Sequence, residues 1–335
     1  MDDKQVVTLA DVAERAGVSI STASKALNGK SRVSPATRTR VQFAARALSF
    51  RTSSGSIMPI SSGKIGLLTS DLQGRFSLPI LMGAEDTFVA GQLSVFLCDA
   101  RGDAVRERHH IDALLSEHID GLIVVGAVLD SRPSLGHDLG VPVVYAYKPS
   151  RSPDDISLIP DNIGGGRLAI EHLLSTGRTR IVHITGPVGE QAAIDRGAGI
   201  RKALDDAGVE LVDETSYGEW SEKWGRSATA MILGRHNDVD AVVCDSDRIA
   251  RGVLDVLKSR GVRVPEDIAI TGFDNWQILA EGPSPEITSV DMNLDNLGRQ
   301  AARALFEAMS GKGLPSGVHL EPCSLVIRGS TIPDA

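Results

Sequence analysis

Aromatic residues make up only 4% of this 335-residue chain, and cysteine appears three times. With hydrophobic residues at 42%, the core has to be built from aliphatic side chains, which suits an α/β fold and excludes a disordered chain. Cys98, Cys244 and Cys323 are odd in number, far apart and without ligand spacing. That excludes a disulfide framework and a cysteine metal site, and leaves buried apolar thiols in a reducing compartment. No apolar run approaches the length that spans a bilayer, and the opening M-D-D-K-Q is not a secretory signal, so a cytoplasmic protein without a membrane partner is expected. The length exceeds one ordinary domain, and two or three are expected.

What is present is uneven. Residues 1–64 carry ten Lys+Arg against four Asp+Glu, whereas the rest of the chain carries 25 against 39. A basic head on an acidic body attracts phosphates to one end and keeps the other off them.

The head reads as three short helices. Leu9, Val12, Ala13 and Ala16 recur at i, i+3, i+4 and i+7 behind the N-cap candidate Thr8. Gly17 supplies a left-handed stop, and Ser19 can cap a second helix whose Ala23, Ala26 and Leu27 face the first. Ser34-Pro35 opens a third helix, with Val41, Ala44, Ala45 and Leu48 on one face. Two helices around a glycine turn, with a polar helix start turned outward, are how major-groove readers are built. Ile20, Ser21 and Lys25 are the expected specificity residues, within a DNA-facing set that also includes Thr8, Ser19, Thr22, Ser24, Asn28 and Arg32. Lys30, Arg32, Arg38 and Arg40 are candidate phosphate contacts.

Residues 51–63 are rich in serine and glycine, a linker composition that tethers a head spanning 1–50. From Lys64 onward short aliphatic runs alternate with helical stretches, at 65–69, 93–97, 121–126, 142–147, 180–185, 241–244 and 267–273. Such uniformly apolar strands are covered on both faces, so parallel sheets flanked by helices are expected, in two subdomains with a ligand cleft. Asp71, Tyr147, Arg196, Asp245 and Asp274 follow these strands, at the carboxyl edge where open α/β sheets bind ligands.

Other chemistry finds little support. No nucleophile, base and orienting group form a set, so an enzyme is not expected. Asn162-Ile163-Gly164-Gly165-Gly166 lacks the lysine of a phosphate loop and reads as a helix start. His109, His110 and His118 fall on one predicted helical segment and read as a solvated face, so no metal and no cofactor are expected.

Four stretches carry a resemblance to a known family: T-L-A-D-V-A-E-R-A-G-V-S-I-S-T-A-S-K-A-L-N-G, V-S-P-A-T-R-T-R-V, D-N-I-G-G-G-R-L-A-I-E-H-L, and R-V-P-E-D-I-A-I-T-G-F-D-N followed by T-S-V. Over nearly its whole length the chain resembles the LacI/GalR family of bacterial transcription regulators. The resemblance implies an N-terminal three-helix helix-turn-helix domain and a hinge. It also implies a periplasmic-binding-protein-like core of two doubly wound parallel-sheet subdomains, spanning 64–161 with 291–321 and 162–290 with 322–335. The chain would cross between them near Asp161, Val290 and Pro322. It implies a homodimer on a near-palindromic double-stranded DNA operator, most often a repressor released by a sugar-like effector, with a corepressor that tightens DNA binding as the alternative. No heptad-patterned tail follows the core, which favours a dimer over a tetramer.

Carried onto this chain, the resemblance makes Asp274, Arg196, Phe76 and Trp220 effector contacts, with Asp71, Tyr147, Lys148, Asp161 and Ser246 completing the expected set. A carboxylate accepts from neighbouring hydroxyls, a guanidinium donates in a planar fork, and an aromatic face covers a sugar's C–H surface. The alternative for Asp274 and Arg196 is an ion pair that needs no ligand.

Three departures stand out. Lys25 replaces a more usual arginine and offers a point charge instead of a fork. Ser246 replaces asparagine, and Tyr147-Lys148 replaces an Asp-Arg pair, so the effector is expected to be unusual. In the hinge, Ser53, Ser54, Gly55, Ser56 and Pro59 are poor helix formers, although Ile57 or Met58 could wedge the minor groove. Weaker hinge folding and weaker coupling are expected.

Overall fold

The computed structural model describes residues 7–27, 33–34, 37–38, 40–41, 44–45, 63–71, 74–87, 94–309 and 314–333. The hinge, and with it Asn28, Arg32 and Met58, lies outside the described residues.

In the head, α1 (Leu9–Arg15) begins at Thr8 with a full capping box to Asp11, and α2 (Ile20–Leu27) follows. Gly17 has φ 61° between them, where a side chain would be strained. Ser34 Oγ accepts from Thr37 N at 3.2 Å at the start of the third helical stretch. Val12, Ala13, Ala16, Ala23, Ala26, Val41, Ala44 and Ala45 form one buried cluster. Alanines let three short helices approach closely, because the helix axes need clear only a methyl group.

The elements that follow are β1 (Lys64–Thr69), α3 (Ser77–Asp86), β2 (Ser94–Asp99), α4 (Ala104–Ser116), β3 (Gly121–Val125), β4 (Val143–Ala146), β5 (Ile156–Pro160), α5 (Asn162–Ser175), β6 (Ile181–Thr185), α6 (Gln191–Ala207), β7 (Ser216–Tyr217), α7 (Glu222–Arg235), β8 (Ala241–Cys244), α8 (Asp247–Ser259), β9 (Ala269–Phe273), α9 (Gln277–Ala280), β10 (Thr288–Asp291), α10 (Leu294–Met309), β11 (Gly317–Glu321) and β12 (Ser324–Val326). They make two six-stranded sheets, ordered β11-β5-β4-β3-β1-β2 and β12-β10-β9-β8-β6-β7. Strands β1 to β5 pair in parallel, as do β6 to β10, while β12 runs antiparallel to β10.

Two compact units result: Met1–Ala127 with Ser131–Ile159 and Asp295–His319, and Val128–Asp130 with Pro160–Leu294 and Leu320–Ala335.

Central strands β3, β6, β8 and β9 are buried throughout, which is why their sequences show no polar alternation. Strand β2 departs from that expectation. It is the edge of its sheet, and Phe96 and Leu97 are 37% and 46% exposed. Strands β5, β7, β10, β11 and β12 were not among the expected runs. They are short or partly polar, and their pairing depends on partners remote in sequence.

Two further expectations are corrected. Cys98 and Cys323 are only partly buried, Cys98 because it lies on the edge strand. His118 lies beyond the end of α4, in a left-handed turn with φ 57°, so the three histidines do not share a helix. The expected helix start is found: Gly164, Gly165 and Gly166 lie in the opening turns of α5, where they also serve a helix crossing. A Cβ at Gly166 would collide with the Arg196 carbonyl oxygen on α6, and one at Gly199 with that of Ile163 on α5.

Candidate functional site

The head presents its polar face through its capping chemistry. Ser19 Oγ accepts from Thr22 N at 3.1 Å and pairs with Thr22 Oγ1 at 2.8 Å, so both hydroxyls are used at the helix start. Thr8 is likewise a cap: its N and Oγ1 each donate to Asp11 Oδ2 at 2.7 Å. These two bonds hold the Asp11 carboxyl below its ordinary pKa. Ala23 and Ala26 face inward, leaving Ile20, Ser21 and Lys25 exposed and Ser24 half-buried.

In the first unit the expected residues gather at the carboxyl ends of β1 and β4. Helix α3 has no side-chain cap of its own, because Phe76 occupies that position. Asp71 supplies one from the strand end, its Oδ2 accepting from Phe76 N at 2.7 Å and Ser77 N at 3.2 Å. Phe76, thus fixed, stacks on Tyr147 with centroids 4.1 Å apart and planes 18° apart, and the Arg75 guanidinium lies 4.8 Å from the Phe76 ring centre. Tyr147 is held in a tight turn with φ 69°, closed by a 2.9 Å bond from Lys148 N to the Ala146 carbonyl. Positive-φ turns of this kind are strained for residues with a Cβ. The aliphatic stem of Lys148 lies in the space a Cβ at Gly126 would need. Its side chain thereby lines a cavity of about 190 Å³ with Thr69, Ser70, Glu107 and Arg132. Arg132 and Glu107 form a fork-to-fork pair at 2.6 and 2.9 Å. Sequence reasoning missed that pair, since partners 25 residues apart carry no local signal.

In the second unit Arg196 is the centre. It is 2% exposed. Its Nε donates to Asn162 Oδ1 at 2.8 Å, Nη1 to the Asp245 carbonyl, and Nη2 to Met292 Sδ at 3.6 Å. The guanidinium carbon lies 3.6 Å from the Phe273 ring centre and 5.7 Å from that of Trp220. Asp274 Oδ1 is 3.7 Å from Nη2, and both side chains are 3% exposed. The ion pair weighed as the alternative for these two residues is thus present, and at least three of the five N–H donors are spent inside the protein.

Asp274 is presented by a strained turn, with φ 105° there and 47° at Asn275. The fully buried Asp247 clamps it: Oδ1 accepts from Ser289 Oγ at 2.6 Å and Oδ2 from Trp276 N at 2.7 Å. Ser246 caps α8 through Arg248 N and donates to Asp274 Oδ2 at 3.3 Å. Asn275 is fixed by Arg328 at 2.7 Å and by Asp291 at 3.0 Å.

Trp220 donates to Glu190 Oε2 at 2.6 Å. Asp161 is the cap of α5, accepting from Gly164 N at 2.9 Å. Asp245, expected at the strand edge as a polar contact, turns inward instead, bonding His183 Nε2 at 2.9 Å with both side chains 1% exposed. Asn162, His183, Asp247 and Ser289 were not anticipated. Only Asp247 had a visible signal, an acid in the first turn of a helix beside Ser246.

The thiols stay out of this chemistry. Burial raises all three, Cys323 to about 12. Among the described residues no cluster could hold a metal ion, and no helix is long and apolar enough to cross a membrane.

Comparison with known proteins decides what this arrangement is. Residues 8–53 match the bacterial regulatory proteins of the lacI family, and residues 170–331 match a periplasmic binding protein-like domain. The HTH-type transcriptional regulator CelR of Thermobifida fusca is 35% identical, over 98% of this chain and 97% of its own. The chain belongs to the LacI family. Among solved structures, a transcriptional regulator CelR–cellobiose complex shares 32% identity, covers 97% of this chain and 99% of its own, and superposes with a TM-score of 0.66. A lac repressor dimer bound to operator and the anti-inducer ONPF has 27% identity, coverages of 98% and 99%, and a TM-score of 0.66. As a LacI-family member this chain is a DNA-binding transcription regulator under effector control.

Proposed function

We propose that this regulator represses transcription as a cytoplasmic homodimer whose operator affinity is set by a small carbohydrate. The observation that carries the reading is the Asp274–Arg196 pair, held beside Ser246 and Trp220 at the strand ends of the second unit. Acceptor, residual fork donors, hydroxyl and indole face together match a polyhydroxylated ring. Asp161 belongs to the same candidate set on the second unit, and Asp71, Phe76, Tyr147 and Lys148 are the effector candidates of the first unit taken by itself. Cellobiose, present in the CelR complex, is the first compound to try. The site works by binding, because its carboxylates are committed to caps, clamps and ion pairs.

The two-fold partner is a second copy of this chain. On the first unit, Phe96 and Leu97 of edge strand β2, with Leu78 and Met82 one turn apart on α3, leave apolar surface exposed. Such surface marks an interaction site.

Fluorescence anisotropy on the intergenic DNA upstream of its own gene, titrated at fixed salt with cellobiose and then pentoses, hexoses and sugar alcohols, tests the reading. One sugar should change operator affinity by roughly 5- to 150-fold, the span of a coupling of about 1–3 kcal/mol. That sugar should also be recovered unchanged. Calorimetric binding of a non-carbohydrate effector, with every sugar silent, would overturn it.

A further inference from the structure

Residues 328–331, beyond β12, are bolted to the second sheet by side chains. Thr288 Oγ1 accepts from Arg328 N at 2.8 Å and donates to the Arg328 carbonyl at 3.0 Å. Ser330 Oγ donates to the Ile270 carbonyl at 2.6 Å and accepts from Thr288 N at 2.8 Å. With its backbone fixed in this way, Arg328 aims a guanidinium whose side chain is only 9% exposed. Nη1 donates to the Ile287 carbonyl at 2.9 Å and Nη2 to Asn275 Oδ1 at 2.7 Å. Glu281 and Glu286 lie further off, at 3.3 Å from Nη2 and 3.7 Å from Nε, and both are exposed. Exposed carboxylates hold an arginine weakly, so the amide and the carbonyl set its direction. A guanidinium has no acceptor and an ionised carboxylate no donor. The Asn275 amide therefore has one orientation, with Oδ1 toward Arg328 and Nδ2 toward Asp291 Oδ2 at 3.0 Å.

We propose that Arg328 is a positioning residue of the effector site. Through Asn275 it holds the strained turn, with φ 105° at Asp274 and 47° at Asn275, from a point 53 residues further along the chain. Residues with a Cβ keep such angles only where their surroundings over-determine them. Asp247 restrains the backbone here through Trp276 N and through Ser289, whose Oγ accepts from Asn275 N at 3.0 Å. Arg328 restrains the Asn275 side chain and completes the hold. Lysine cannot replace it, because a point charge lacks the planar fork that meets the Ile287 carbonyl and Asn275 Oδ1 together. That Asp274 contacts the effector rests on the proposed function above, whereas the hold on its turn does not.

The test uses the full-length protein and Arg328→Lys, which keeps the charge and most of the stem. Hydrogen exchange followed by mass spectrometry should rise over residues 272–277, where the Asp274 and Asn275 amides donate to the Val290 carbonyl and Ser289 Oγ. Exchange in β6 and in the head should stay as in wild type. A general rise through the second unit would make Arg328 a residue of bulk stability and refute the proposal, as would an unaltered turn. Calorimetry with cellobiose and the other sugars of the panel supplies the second readout. Arg328→Lys should weaken the sugar that binds wild type roughly tenfold, the worth of one charge-assisted hydrogen bond. In an Asn275→Ala background the same substitution should cost nothing further, and a full loss there would mean that Arg328 acts by another route. Glu281→Gln should leave affinity unmoved, since Nη2 keeps its shorter bond to Asn275. If wild type binds no sugar of the panel, the proposed function fails, and the exchange measurement decides this proposal by itself.

Discussion

The two units hold their candidate effector residues by different means. In the second, Arg196 meets Asp274, Asn162 and the Asp245 carbonyl, Asp247 meets Ser289 and Trp276, and Asn275 meets Asp291 and Arg328, through bonds between buried or part-buried groups. In the first, Phe76 and Tyr147 are held by ring stacking, one helix cap and a strained turn. A buried polar network fails as a unit, since deleting one member leaves the others desolvated and unpaired. A stack loses only its own contact. The second unit should therefore be intolerant and the first adjustable, and effector identity should be tunable mainly from the first.

The largest break of that contrast comes from Arg196→Ala. It removes the cation beside Asp274 and the donors to Asn162 Oδ1 and the Asp245 carbonyl, and should cost about 3–5 kcal/mol in denaturant unfolding, as loss of one partner of a buried ion pair does. Next is Asp247→Ala, which leaves Ser289 Oγ and Trp276 N without an acceptor. A loss of about 1–3 kcal/mol for each stranded group is expected, with effector affinity falling more than tenfold by calorimetry, because Asp274 loses its fixed turn. If instead the protein unfolds normally and binds effector undisturbed, the clamp is not what presents Asp274. Phe76→Leu, which keeps apolar bulk and removes the stack, should cost only about 0.5–1.5 kcal/mol beyond area burial. It should alter the ranking of sugars more than the stability. A cost as large as that of Asp247→Ala would erase the contrast between the units.

The smallest effect lies outside both sites. The exposed Asp267 carboxyl is lowered from 3.8 to about 2, mainly by its side-chain and backbone bonds from Arg263. Because the folded value is depressed, the pair's contribution is present above pH 3.8 and is lost as pH falls through about 2. Arg263→Ala should return the Asp267 titration, followed by NMR, toward 3.8 and leave neutral-pH stability almost unmoved, as surface pairs do.

Legibility followed range. Thr8, Gly17, Ser19 and Ser34 were visible as caps and stops, since each acts on backbone within three residues. The apolar strands were visible because burial on both faces removes polar alternation. Asp71 and Asp161 are effector candidates by sequence, and each also has a capping role the sequence did not reveal, on α3 and α5. A carboxylate before a helix looks the same in sequence whether it serves a ligand or the chain. Asn162 was passed over beside the glycines, yet it orients Arg196 from 34 residues away.

The sequence by itself determined the three-helix head, the alternating βαβ body, the charge split between them and the candidates Arg196 and Asp274. These rest on local propensity, periodicity and composition, which act over a few residues. Only the tertiary structure decided that Arg196 faces Asp274, that Asp247 clamps the turn presenting it, that Phe76 meets Tyr147 and that the glycines of α5 serve α6. Those are encounters between side chains brought together by sheet order and helix crossing, and sheet order is a property of the whole chain's burial and not of any segment.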